Sequence, residues 1–178
     1  MEDQKERLIR YLDDAWAVEK SLVAALDKLA DNSPDQTQRA MYQEHRTVTH
    51  SQEERLEARI RALGEEPSGG KGFFSTVLGK LSELVHKPHD DYDKATQDLM
   101  KQYAIENFEC AMYQSLRAYA SAIGDLETVR LAEEHLSQEQ QTAQRVWNLI
   151  EPTATRPADG FTPSSASSID SDERAGVA

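Results

Sequence analysis

A single cysteine, Cys110, stands in a chain of 178 residues, so no disulfide can form within it. That usage suits a reducing compartment, and a cytoplasmic location is the expectation. Glycine and proline are also scarce, at 8 and 6 residues. With 38% hydrophobic residues and long stretches of Ala, Glu, Gln, Leu and Arg, this scarcity points to an all-α chain. Basic residues are outnumbered, 20 against 32 acids, for a net charge of −12. That balance argues against a nucleic-acid partner and against anionic membranes. No apolar run is long enough to span a bilayer, and the opening MEDQKERLIRYL lacks the apolar core of a secretory signal. The sequence also has no Gly-rich phosphate loop, no nucleophile motif and no paired-cysteine zinc signature.

What is present is helical periodicity. The first pattern runs from about Asp3 to Ala30, with Leu8, Leu12, Ala15, Leu22, Leu26 and Leu29 on one stripe. It stops at DNSPD, where Ser33 reads as an N-cap and Pro34 as the first helical residue. The second pattern reaches Leu63 and ends at Gly64. The third starts near Asp90 or Asp91 and runs to about Ile123; the fourth restarts after Gly124-Asp125 and ends before Pro152. Short links make each consecutive pair an antiparallel hairpin. Between the hairpins, residues 64–89 form a long crossover in which Phe73, Phe74, Val77, Leu78, Leu81 and Leu84 sit at helical spacing. They predict a short helix that caps the bundle end or lies along its side. Two hairpins joined by a long crossover make a ferritin-like four-helix bundle over 1–151. The remainder, 152–178, is rich in Ser, Pro, Ala and Asp and reads as a disordered tail.

Carboxylates on the inner stripes break the pattern. At about 100° per residue, Glu19 falls among Leu12, Ala15, Leu22 and Leu26. Glu106 and Glu109 share an arc with Leu99, Gln102, Tyr113 and Ala120, and Glu139 lies among Ala132, Leu136, Ala143 and Val146. Facing residues of an antiparallel hairpin are equidistant from its turn, so Glu109 faces Glu139 across Gly124, with Glu106 one turn away. Four acids in one layer do not all ionise without a cation between them. Iron or manganese ions bridged by carboxylates are the usual answer in a helical bundle. Short echoes between the halves, AVEK with AIEN and SQE with SQE, agree with two related hairpins.

The segments YLDDAWAVEKSLVAALDKLA, EHRTVTHSQEERLEARIRALGEEP, AIENFECAMYQSLRAYASAIGD and HLSQEQQTAQRVWNLI resemble, in order, the helices of the YciE/YciF family. These are bacterial ferritin-like proteins associated with stress responses, and the resemblance spans residues 5–150. It implies a ferritin-like bundle, usually dimeric, with a di-metal site and no settled activity. By position, Glu19 matches the glutamate of the family's A-E-K motif. Glu106 and Glu109 match its E-x-x-E, and Glu139 the retained acid of its helix-four E-E-K. The second helix departs: the family's E-H-L-x-E-T-x-x-Q is EHRTVTHSQ here, so Val48 replaces an inward glutamate. Gln138 likewise replaces an acid, and Asn107 a histidine.

Histidines offer a partial substitute. His45 lies on the inner face about one turn away, within reach of a displaced ion, while His50 faces solvent. His135 is marginal, and His86 and His89 belong to the crossover. The metal-ligand set read from the sequence is therefore Glu19, Glu106, Glu109, Glu139 and His45. Its cofactor is iron or manganese, or none because of Val48. The leading reading is a stress-associated protein with a degenerate carboxylate site, acting through assembly or binding as a homodimer rather than as an enzyme. The alternative is a di-iron or di-manganese oxidoreductase that activates oxygen or peroxide.

Overall fold

The computed structural model describes residues 4–68, 79–81 and 83–156. Four long helices account for most of them: α1 (Gln4–Asn32), α2 (Gln36–Ala62), α3 (Asp91–Ile123) and α4 (Leu126–Ala154). Residues 79–81 are also helical, and no strand occurs among the described residues. Positions 73–78 of the expected crossover helix and the stretch 157–178 lie outside them.

The helix ends follow local chemistry. Asp35, not Ser33, caps α2: its carboxylate accepts the Gln38 N–H at 2.9 Å. Ser33 lies upstream of the helix, where its hydroxyl donates to Gln38 Oε1 at 2.6 Å. A carboxylate meets the positive end of the helix dipole better than a hydroxyl does, which moves the cap past Pro34. Asp90 and Asp125 cap α3 and α4 in the same way. Gly64 and Gly124 have φ of 85° and 79°, the left-handed conformation that glycine tolerates best after a helix. The end of α4 differs from expectation, because the helix passes through Pro152 to Ala154. Proline forfeits one hydrogen bond there. The last turn is held by burial of Thr153 and by Arg156, which pairs with Asp35 at 2.7 Å.

Packing defines the topology. α1 lies mainly against α2 and α3 against α4, with further contacts between α1 and α3 and between α2 and α4. Each neighbouring pair is antiparallel. The Tyr119 hydroxyl at the end of α3 donates to the Gln4 carbonyl at the start of α1, and Arg59 late in α2 meets Asp125 at the start of α4. The crossover leaves α2 at one end and re-enters at Asp90 beside the other. The two ends it joins are therefore about the length of α2 apart, roughly 40 Å at 1.5 Å per residue over 27 residues. Its first residues are tied to α1, where Asp13 accepts both the backbone N–H and the hydroxyl of Ser68, at 3.0 and 2.7 Å.

The core is divided. One apolar cluster gathers Leu8, Leu12, Leu56, Ile60, Leu116 and Ala120 towards the Gly64 and Gly124 end. A second gathers Leu22, Leu26, Met41, Tyr42, Leu99 and Val146 towards the other end. Between them all four helices contribute buried polar side chains: Glu19, His45, Thr49, Gln52, Gln102, Glu106, Glu109 and Glu139. Burial of each leucine stabilises the fold by about 1.5–3 kcal/mol, while each buried carboxylate works against it unless matched. The two clusters hold this polar layer in place.

Candidate metal centre

The stripe that builds each apolar cluster also carries the acids inward. On α1, Glu19 follows Leu12 and Ala15 and precedes Leu22; on α4, Glu139 lies between Ala132 and Val146. Glu19, Glu106, Glu109 and Glu139 are all wholly removed from solvent, and His45 nearly so. The inner stripe of α2 runs His45, Thr49, Gln52, Leu56. Val48 is only half-buried, at the edge of that stripe, so the position where the resembled family has an acid borders the layer.

Three of the five residues converge closely. His45, Glu106 and Glu139, from α2, α3 and α4, each place one donor atom within 4.8 Å of the others. His45 Nε2 is 2.9 Å from Glu106 Oε1, without the alignment of an N–H···O hydrogen bond. Gln102 donates to Glu106 and Gln52 donates to Glu139, each holding one carboxylate oxygen in place. Glu19 and Glu109 adjoin this trio but do not belong to it. Glu19 accepts a hydrogen bond from the Tyr113 hydroxyl and lies within hydrogen-bonding reach of Glu109, whose oxygens find no other donor. The second oxygens of Glu19, Glu106 and Glu139 are likewise buried and unpartnered.

Electrostatics follow from that crowding. Burial first, then the Glu139 charge, raises Glu19 well above the usual carboxylate range. Burial and the charges of Glu19, Glu139 and Glu106 do the same to Glu109. Burial and Glu106 push Glu139 up to about 8, against the opposing pull of His45 and Gln52. For His45, burial favours the neutral ring, but the charge and proximity of Glu106, with Glu139, outweigh it and leave the imidazole raised. Burial and Glu19 raise the Tyr113 hydroxyl. In the absence of a cation, such a layer stays folded by holding protons.

The donor set, one imidazole and two carboxylates, suits a divalent transition-metal ion without selecting one. Four buried oxygens without partners, on Glu106, Glu139 and Glu109, are what a cation would satisfy. For a second ion the complement is thinner. Glu19 and Glu109 remain, but α2 offers Thr49 and the edge residue Val48 in place of an acid.

His135 was legible only as marginal, yet it is wholly buried, with neither ring nitrogen hydrogen-bonded. It packs edge-on against Tyr113, ring centroids 5.0 Å apart at 90°. Burial and the nearby Arg55 hold its pKa down at about 3, so it is a neutral core histidine. The spacing could have found it, since His135 stands three residues after Ala132 and four before Glu139 on the buried stripe, whereas Leu136 lies nearer its edge. His50 is exposed beside Glu53, as expected, and His86 is exposed and paired with Asp93. Cys110 is half-buried one turn after Glu106, its thiol pushed up to about 11 by burial and by the Glu139 and Glu106 charges.

Fold and site together define a ferritin-like four-helix bundle with a buried carboxylate and histidine layer. The chain belongs to the family described as a domain of unknown function, DUF892, whose model matches residues 3–159. The structure is similar to that of the Escherichia coli stress protein YciF, with a TM-score of 0.78 at 21% identity, covering 88% of this chain and 100% of that one. It is also similar to YcfI, a putative structural protein from Rhodopseudomonas palustris (TM-score 0.74, 22% identity, 82% of this chain and 94% of that one). Ferritin-like, diiron-carboxylate proteins from Bacillus anthracis are more distant, with a TM-score of 0.63 at 15% identity over 84% of this chain and 99% of that one. No curated protein matches in sequence. Among the described residues no helix is long and apolar enough to cross a membrane.

Proposed function

We propose that this protein is a ferritin-like metal-holding protein whose site retains one ion position and has lost the full complement for two. His45, Glu106 and Glu139 hold the ion, with Glu19 and Glu109 beside it. The observation that carries this reading is the convergence of three donors from three helices where α2 supplies no acid. Iron or manganese bound there would supply redox chemistry towards oxygen or peroxide. The chain's own groups bind and orient: Gln52 and Gln102 fix one oxygen each of Glu139 and Glu106, and Tyr113 fixes Glu19. The two apolar clusters exclude water from both ends of the layer.

In this reading the protein acts by binding and assembly, in the stress setting named for the E. coli structure, as a cytoplasmic homodimer. Exposed Met100, Phe108 and Trp147 support an associating surface. A second reading, a di-iron or di-manganese oxidoreductase, is favoured by one observation, the two unpartnered oxygens of Glu109 next to Glu19.

Metal analysis after loading with Fe²⁺ or Mn²⁺ separates the two. One ion per chain, lost in Glu106→Ala, is expected. Two ions per chain would establish the oxidoreductase complement instead, and a metal-free protein indifferent to either ion would overturn both. Light scattering that gives only monomer at high concentration would remove the dimer.

A further inference from the structure

A buried ion site needs an entry path. The ends of the layer are closed by Leu22, Tyr42 and Leu99 on one side and by Leu12, Leu56 and Leu116 on the other, all almost fully buried. The sides remain. Among the described residues three surface grooves are relevant, and their charges differ. One, about 320 Å³ between α2 and α4, is lined by Arg55, Arg59 and Arg130. Another, about 360 Å³ where the crossover meets α3, is lined by Lys87, Lys94 and Lys101. Each also holds one acid, Glu127 or Asp98, paired with its bases. Bases still outnumber acids three to one among the lining residues and face an arriving cation. The third, about 340 Å³ between α3 and α4, has no basic residue.

This third groove overlies the centre. Cys110 and Ala143 are among its lining residues, and each stands one turn beyond a candidate ligand, Glu106 and Glu139 respectively. Because α3 and α4 run antiparallel about Gly124, Cys110 is level with Glu139, and Ala143 with Glu106. Cys110 also lies within the electrostatic reach of both carboxylates. The two residues between groove and ligands are thus among the smaller side chains available. The rim is made of amides. Asn107 spends its N–H donor on the Tyr103 carbonyl at 2.7 Å, and Gln144 donates to Asn148 at 3.0 Å. Each keeps its carbonyl oxygen as an acceptor suited to a hydrated cation, beside one remaining N–H. Tyr103 and Trp147, packed with ring centroids 5.2 Å apart, wall one end.

We propose that the α3–α4 groove is the route by which a divalent transition-metal ion reaches His45, Glu106 and Glu139, with Cys110 and Ala143 as its gate. The inference rests on the metal-holding reading above. It assigns to these two residues control of the rate of loading and no part in the final affinity.

The test is cobalt(II) uptake by the intact chain, followed by its absorption after rapid mixing, together with the occupancy at equilibrium. Ala143→Leu narrows the gate and is expected to slow uptake about tenfold or more with occupancy unchanged. Ala143→Gly is expected to speed it. Alkylation of folded wild-type protein with iodoacetamide at mildly alkaline pH modifies Cys110, the sole cysteine, and is expected to slow uptake as Ala143→Leu does. The reaction is carried to completion by intact mass, because the raised thiol reacts slowly. That arm stands even if Ala143→Leu fails to fold. Full occupancy at unchanged rates in the alkylated and Ala143→Leu proteins would overturn the route and leave the site intact. Wild-type protein that takes up no cobalt would overturn the site, and the route with it.

Discussion

His45 on α2 and Glu106 on α3 meet at 2.9 Å across the diagonal of the bundle, between helices whose backbones do not touch. Each is almost completely buried, and the carboxylate is also held by Gln102. Removal of one member strands the other. Glu106→Leu is expected to cost metal-free protein about 3–5 kcal/mol in denaturant unfolding, whereas His45→Leu/Glu106→Leu recovers much of that loss. A loss in the double variant equal to the sum of the losses in Glu106→Leu and His45→Leu would show that the contact contributes nothing to the fold.

Acidity provides a second prediction. Burial and the Glu106 charge push Glu139 up to about 8, and burial raises Glu19 and Glu109 well above their usual range. The native state therefore binds more protons than the unfolded chain above the ordinary glutamate pKa of about 4.5, and stability is lost as pH rises towards 8. His45, also raised, adds to the loss as pH passes its ordinary 6.5. His135 acts the other way: held at about 3, it costs stability as pH falls from about 6.5. Thermal melts of metal-free protein should thus be highest in mild acid and decline towards pH 8. Added Fe²⁺ or Mn²⁺ should cancel the decline, because metal binding replaces those protons. Melts that rise steadily to pH 8 without metal would contradict the raised carboxylates.

Val48 tests the missing donor. It is half-buried at the edge of the α2 stripe, beside the layer. Val48→Glu is expected to raise metal content after loading from one ion per chain towards two. A count that stays at one would mean that an acid at this edge cannot reach Glu19 and Glu109.

Far from the layer, Arg59 fastens α2 to the start of α4. Its largely buried guanidinium reaches Asp125 at 2.6 Å, the Thr128 hydroxyl at 2.9 Å and Glu127 at 2.7 Å. Arg59→Ala is expected to cost about 1–3 kcal/mol in denaturant unfolding, since it removes three bonds and leaves the Asp125 carboxylate only its cap contact with Thr128. Arg59→Lys should recover only part of this, because an ammonium cannot make the same fork of bonds. Full recovery by lysine would mean that only charge matters there.

The bundle was legible because its signals are local and redundant. Apolar residues repeat with helical period, Gly64 and Gly124 terminate helices, and loop lengths separate hairpins from crossover. The same phase argument carried Glu19, Glu106, Glu109 and Glu139 inward, where the structure has them. It had less to say about the details. Ser33 reads as the cap from the sequence, and only geometry shows that Asp35 takes the Gln38 backbone N–H while Ser33 meets the Gln38 side chain. Pro152 looks like a stop, but tertiary contacts at Thr153 and Arg156 keep the helix going. The edge-on fit of His135 to Tyr113 and the closeness of His45 to Glu106 depend on how the helices sit across the bundle. Such facts live in packing between distant segments, where a periodic pattern carries no information.

The division of the core has a consequence for how the molecule breathes. Helices are ordinarily best protected from amide hydrogen exchange near their midpoints, and fray from the ends. Here Glu19, Thr49, Glu106 and Glu139 lie near the midpoints, where apolar packing is interrupted. Without a cation, the slowest-exchanging amides should fall into two bands, one beside each leucine cluster, with a weaker seam between them. Filling the seam with metal would join the bands into one.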